Sequence, residues 1–310
     1  ETIYTIDVKV LINEKVKLQT KIKGLKKIGN TAYLGKNTYC CVMGRKFIEF
    51  KKYEETLKIY IYSLKYNSIY TSSRLLIKSI LFKKDYFLLF RHTVIFPIFW
   101  ALARFKQIYV MHSGGNNLSG IGLALPGLAG IGKSTISLAL TLINESLFLG
   151  DNYILFDDRK LYAFPELIRI SNNTKTILGK SVTKLGQAKL SRNGKQYYNL
   201  HYNYISDPVD LSFMIMPSIG ESNHVRELSV SVALDRIILS NNHTKELPEH
   251  SMTGLIEYLF EFENSIYCHK IKTLENLLRN TKIYEASTRK DCDRNELCHF
   301  YNNLCTNGMK

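Results

Sequence analysis

Residues 2–64 carry the pattern of β-strands. Thr2 to Ile12, Thr38 to Phe50 and Thr56 to Ser63 are rich in β-branched residues, and Gly35-Lys36-Asn37 and Gly44-Arg45 punctuate them as turns. An antiparallel β module is the expectation. Residues 72–84 read as a short basic helix and residues 86–105 as a longer apolar one. The run Tyr86 to Ala103 contains Arg91, His92 and Pro97 and only approaches the roughly 20 residues that a membrane span requires. A buried helix, bent or divided at Pro97, is expected instead.

The pattern changes after Lys106. Gln107 to His112 reads as an apolar strand, Gly114-Gly115-Asn116-Asn117 and Ser119-Gly120 as a turn, and Ile121 to Leu125 as a second strand. Ser134 to Ile143 has helical spacing, with Ile136, Leu140 and Ile143 on one face. Leu147 to Leu149 is a short strand ending at Gly150-Asp151. Tyr153 to Phe156 and Leu161 to Phe164 flank Asp157-Asp158-Arg159-Lys160 as a hairpin. Further on, Asp210 to Met216 and Val225 to Val232 read as strands, and Gly254 to Phe262 and Lys272 to Arg279 as helices. These elements imply an α/β protein with mixed sheets (α+β), divided into a β-rich module over 1–85 and a core with C-terminal helices over 86–310.

Between the second strand and its helix lies Gly127-Leu128-Ala129-Gly130-Ile131-Gly132-Lys133-Ser134, which meets every fixed position of G-x-x-x-x-G-K-[ST]. Glycines let successive main-chain N–H groups converge on phosphate oxygens, and the following helix adds the positive end of its dipole. Lys133 is placed for the β and γ phosphates, Ser134 for a magnesium ion, and Thr135 closes the segment. A strand–loop–helix context is what such a P-loop needs, and ATP or GTP with Mg2+ is the expected ligand. A carboxylate must serve the metal or accept a proton. Asp151, at the end of a short strand, is favoured over Asp157 and Asp158, because turn aspartates usually serve the backbone. His112 ends the strand that pairs with the one delivering the loop. Arg169, in Leu167-Ile168-Arg169-Ile170, either faces the nucleotide or forms a surface ion pair.

The chain's net charge is +15. Residues 1–85 hold 18 Lys and Arg against 7 Asp and Glu, so the excess lies mostly ahead of the loop. Biased codon usage and an acidic partner both account for this. There is no recognition motif for nucleic acid and no clear membrane signal. Cys292-x5-Cys298-His299-x5-Cys305 lacks the common zinc spacings and reads as an amphipathic helix with buried thiols. With no signal peptide visible, a cytoplasmic protein is expected.

His112, the loop Gly127 to Thr135, and Leu149-Gly150-Asp151-Asn152 followed by a hairpin ending in Phe164-Pro165 together resemble the HPr kinase/phosphorylase group. The closer likeness is to its divergent relatives beside peptide-modifying enzymes. That group shares a nucleotide-binding core with phosphoenolpyruvate carboxykinase. The resemblance spans about residues 86–240. It implies that Lys133 binds phosphate, Ser134 binds magnesium, Asp151 is the general base for a substrate hydroxyl, and His112 lies beside it. The family's second aspartate is Asn152 here, and its downstream signature is missing, which disfavours HPr itself as the substrate. The family includes ring-shaped oligomers, so a homo-oligomer is compatible with the likeness.

Three functions fit these residues. The first is a kinase that phosphorylates a serine or threonine of a peptide or protein, with the basic module binding an acidic substrate. The second is a nucleotide hydrolase or switch. The third is a nucleotide-stabilised module that docks on an acidic partner.

Overall fold

The computed structural model describes residues 5–28, 32–43, 46–54, 56–64, 91–192, 195–243, 259 and 266–307. The chain divides into two compact units, Glu1–Leu102 with Pro248–Ser265, and Ala103–Leu247 with Ile266–Lys310. Together they form a mixed α/β protein with antiparallel and mixed sheets.

The first unit is built on a six-stranded sheet. Its strands are β1 (Thr5–Val16), β2 (Lys26–Lys27), β3 (Ala32–Gly35), β4 (Thr38–Met43), β5 (Lys46–Tyr53) and β6 (Thr56–Leu64), in the order β1-β6-β5-β4-β3-β2. Pairing is antiparallel from β2 to β6, but β1 runs parallel to β6, so the module is not wholly antiparallel. Phe47, Ile48 and Phe50 of β5 are all fully buried, so both faces of this strand are covered. Between them Glu49 is also buried, and Lys51 (3.1 Å) and Lys21 (3.8 Å), the latter from helix α1 (Leu18–Lys21), balance its charge. Cys40 and Cys41 are buried free thiols.

Of the apolar run, Arg91–Ile95 forms a π-helical turn that passes into α2 (Phe96–Lys106). The change of helical register falls beside Pro97, in the first turn of α2, where a missing N–H is tolerated. Phe96, Phe99, Trp100 and Ala103 are buried, the i, i+3, i+4, i+7 stripe of an amphipathic helix. The helix expected over 72–84 lies outside the described residues. Of the one expected over 254–262, only Leu259 is described.

In the second unit, the main sheet contains β7 (Tyr109–Met111), β8 (Ser113–Leu118), β9 (Ile121–Pro126), β10 (Leu147–Gly150), β11 (Ile154–Phe156) and β12 (Lys160–Tyr162). A separate three-stranded sheet is formed by β13 (Ile168–Ser171), β14 (Leu190–Arg192) and β15 (Lys195–Tyr198). The long strand β16 (Val209–Gly220) is the spine of the main sheet. It runs parallel to β9 and to β18 (Lys282–Arg289), and its start pairs with β12; β17 (His224–Glu227) pairs with β18. The helices are α3 (Lys133–Ile143), α4 (Asn172–Leu178), α5 (Val230–His243), α6 (Ile266–Arg279) and α7 (Arg294–Asn307). One core joins α3 to the sheet and to α7: Leu123, Leu125, Ile136, Leu140, Phe148, Phe213, Ile215, Cys298, Tyr301 and Cys305 are all buried in it. Each leucine, isoleucine and phenylalanine among them contributes about 1.5–3 kcal/mol of transfer free energy.

The strand that His112 ends, β7, pairs with β11 and not with the loop-delivering β9, whose hairpin partner is β8, and two more readings of the sequence are overturned here. Gly114-Gly115-Asn116-Asn117 is not a turn but most of β8, hydrogen-bonded to β9 on one side and β10 on the other. The chain needs Gly115 because a Cβ there would stand 3.2 Å from both Leu149 and Ile154. Asn116 serves as a buried tie: the two N–H bonds of its amide are shared among the Ser137 carbonyl (3.0 Å), Thr141 Oγ1 (2.9 Å) and Ser146 Oγ (3.0 Å), locking α3 against the sheet. The turn is confined to Ser119-Gly120, both at positive φ. Likewise, Val225 to Val232 is not one strand. The strand stops at Glu227, and Ser229 opens α5, with its carbonyl accepting from Ala233 N and its hydroxyl from Val232 N. The tail, by contrast, is the expected helix with buried Cys298 and Cys305.

Because Asn116 joins α3 and β8 through polar atoms that water cannot reach, Asn116→Ala should destabilise the fold by about 2–3 kcal/mol. Urea unfolding should show a lower midpoint at unchanged slope.

Candidate active site

Strand β9 ends at Pro126, and the chain turns through Gly127 to Gly132 into α3. Gly130 (φ 88°) and Gly132 (φ 94°) adopt left-handed conformations that a Cβ would strain, and Gly132 is the residue that opens the helix. No side chain caps α3, so the N–H groups of its first turn are available to an anion.

Lys133, the first residue of α3, is only 6% exposed. Its ammonium donates to the carbonyls of Gly127 (2.8 Å) and Leu128 (2.7 Å), so the lysine folds back over the start of the loop that precedes it. Burial depresses its pKa to about 8, partly offset by the attraction of Asp151. Asp151 follows β10 and is also buried. Burial raises its pKa; the nearby Ser134 hydroxyl and the charges of Arg169 and Lys133 act the other way, while Glu166 adds to the rise. Its Oδ1 has no hydrogen-bond partner among the described residues. Lys133, Ser134, Asp151 and Arg169 are thus brought into one electrostatic group.

Asn152 joins this group through its side chain. It donates to Glu166 (3.4 Å) and accepts from Arg169 (3.2 Å), bridging a carboxylate and a guanidinium. An aspartate in its place has no donor for Glu166. Arg169 is exposed, on β13, and its hydrogen bond goes to Asn152 rather than to a surface carboxylate. Thr135 turns its hydroxyl to Thr174 of α4 (3.2 Å), and the Ser171 side chain caps α4 by accepting from Thr174 N. Ile131 lines a cavity beside the loop together with Gly127.

His112 lies between β7 and β8. Its N–H donates to Asn241 (3.1 Å), its ring stands edge-on to Tyr153 (6.3 Å), and the next residue, Ser113, donates from its N–H to the carbonyl of Asn152 (3.2 Å). The histidine therefore adjoins the turn that carries Asp151. Asp157 serves the backbone, accepting from the N–H groups of Arg159 and Lys160 and from the Tyr162 hydroxyl, as a turn aspartate does.

Glu166 and Asn241 escaped the sequence reading. Glu166 is separated from Asp151 by a whole hairpin, and Asn241 from His112 by 129 positions. The Phe164-Pro165-Glu166 stop after the hairpin was the one available hint for the former. Among the described residues, no group of three or more His, Cys, Asp or Glu side chains is arranged to hold a metal ion. No helix among them is long and apolar enough to cross a membrane. The chain matches no protein-family model, and no curated protein matches it significantly.

The Lys133 shift has a measurable consequence. Below pH 8 the ammonium is charged in both folded and unfolded chains. Between about pH 8 and 10.5 the unfolded chain holds a proton that the folded one has lost, so stability from this group rises with pH across that window. Lys133→Met should remove this rise, as read by comparing denaturation of both proteins at pH 7.5 and pH 10.

Proposed function

We propose that the second unit is a phosphotransferase that binds the polyphosphate of ATP or GTP on a P-loop and moves the γ-phosphoryl group to a serine or threonine hydroxyl of a peptide or protein. In this reading its core is of the HPr kinase type. The observation that carries it is the burial of Lys133 and Asp151 within electrostatic reach of each other, beside Ser134 at an uncapped helix start. Burying a cation and a carboxylate costs more than their attraction returns unless further groups satisfy both charges, and a polyphosphate is such a group for the cation.

The roles follow from charge and position. Main-chain N–H groups of the loop and of α3 hold phosphate oxygens, and Lys133 neutralises the transferring group. Asp151 accepts the proton of the acceptor hydroxyl. As the hydroxyl oxygen bonds to the γ phosphorus, the bond to the bridging oxygen breaks, leaving a phosphoester and the nucleoside diphosphate. The raised pKa of Asp151 suits a base, since it holds a proton more readily than an ordinary carboxylate. Arg169, tied to Asn152, offsets negative charge at the same place. The donors present also fit magnesium. The Ser134 hydroxyl and the Asp151 oxygen that lacks a partner would hold it with phosphate oxygens, since Mg2+ takes few protein ligands. Bound there, it would neutralise phosphate charge. The basic first unit, with its excess of lysine, is proposed to meet an acidic region of the substrate.

Asp151→Asn keeps the size of the side chain and removes the base. It should lower the rate of transfer from labelled ATP to a peptide by about 10²–10⁴-fold while nucleotide affinity, measured by calorimetry, stays within about threefold. Equal transfer by the variant excludes Asp151 as the base. Rapid hydrolysis of ATP without any acceptor favours a hydrolase instead.

A further inference from the structure

A cavity of about 320 Å³ opens beside the loop, and none of the transfer chemistry above uses it. Its walls are largely apolar: Leu128 and Ile131 from the loop, Met216 and Pro217 from β16, and Ile237 and Leu239 from α5. The register explains its place. Met214 pairs with Ala124 and Met216 with Glu285, so Pro126, Met216 and Glu285 lie at about one level across three parallel strands. The cavity therefore sits at the carboxyl end of β9 and beside the carboxyl half of β16, the side on which open α/β sheets bind their ligands.

The direction of the bound polyphosphate decides what belongs there. The Lys133 ammonium is tied to the carbonyls of Gly127 and Leu128. The lysine of such a loop meets the β and γ phosphates, so the γ end lies at the start of the loop. The nucleoside, attached beyond the α phosphate, leads the other way. Gly127 and Leu128 are also walls of the cavity, which therefore adjoins the acceptor side of the transferring group.

We propose that this cavity receives an apolar side chain of the peptide acceptor, one that flanks the phosphorylated hydroxyl. The proposal rests on the phosphotransferase reading above and adds its substrate class. The volume admits a leucine, methionine or phenylalanine side chain and stands at the small end for a complete small-molecule ligand. Polar groups at the cavity complete the match to a peptide. Glu285 is shared by Arg226 and by Arg236 (3.2 Å), and Arg236 lines the cavity with it. Two guanidiniums on one carboxylate leave a net positive charge, suited to an acidic residue near the apolar one.

The test uses the full chain, magnesium ATP and a panel of serine and threonine peptides in which each residue flanking the hydroxyl is varied singly. Leucine, methionine or phenylalanine at one flanking position should lower the peptide KM about tenfold relative to alanine, the scale of a few methylenes in an apolar pocket. Leu239→Asp is the informative variant because that side chain is 67% exposed and its replacement leaves the core intact. It should erase the preference by raising the KM of the leucine peptide, while the KM for ATP moves less than twofold. Equal KM values for the alanine and leucine peptides overturn the assignment. So does a Leu239→Asp protein with a raised KM for ATP and an unchanged peptide KM, which gives the cavity to the base. Transfer without flanking preference defeats this assignment alone, whereas absence of transfer to every peptide defeats the phosphotransferase reading with it.

Discussion

The burial of one ammonium group beside one carboxylate, at the head of α3, is the constraint on which the rest of the second unit depends. Lys133 and Asp151 are each almost fully enclosed, and each displaces the other's pKa toward the charged form while enclosure pushes both toward neutrality. Such an arrangement is tolerated only if the surrounding structure holds it firmly. The loop carbonyls hold the lysine, the Ser134 hydroxyl and the Asn152–Arg169 pair attend the aspartate, and the Asn116 amide fixes the helix that carries Lys133. The sheet and helices can be understood as the frame that keeps these two charges in register.

Much of this was legible in the residues because it is local. The loop is contiguous, its glycines precede a helix, and Asp151 ends a short apolar strand, so neighbours in sequence carried the signal. Features built from distant partners were less visible. Glycines and asparagines at 114–117 have turn propensity, yet β9 and β10 supply partners on both sides and turn that segment into a strand. The β-branched residues Val230 and Val232 suggest a strand, yet they begin a helix once Ser229 caps it. Whether β1 runs parallel or antiparallel to β6 leaves no mark on either segment, since both directions bury the same alternate positions. Tertiary pairing outweighed intrinsic preference in each case.

The same division separates the residues of the site. Lys133, Ser134 and Asp151 could be named from spacing. Glu166 could not, because a whole hairpin separates it from Asp151, and neither could Asn241 and most walls of the cavity, which come from α5, β16 and β18, elements far apart along the chain. Asn152 is instructive in between. Its amide, read first only as the loss of a carboxylate, satisfies an acceptor and a donor at once and ties Arg169 to the turn beside Asp151.

The C-terminal elements have a further consequence for how the molecule is made. Strand β18 completes the pairing of β16, and Leu297, Cys298, Tyr301 and Cys305 of α7 share a core with Ile136 and Leu140, on the helix that opens with Lys133. Until α7 has folded into place, the apolar back of α3 stands uncovered. A truncation that removes α7 therefore bares apolar surface on the helix that carries Lys133 and turns the fragment toward aggregation.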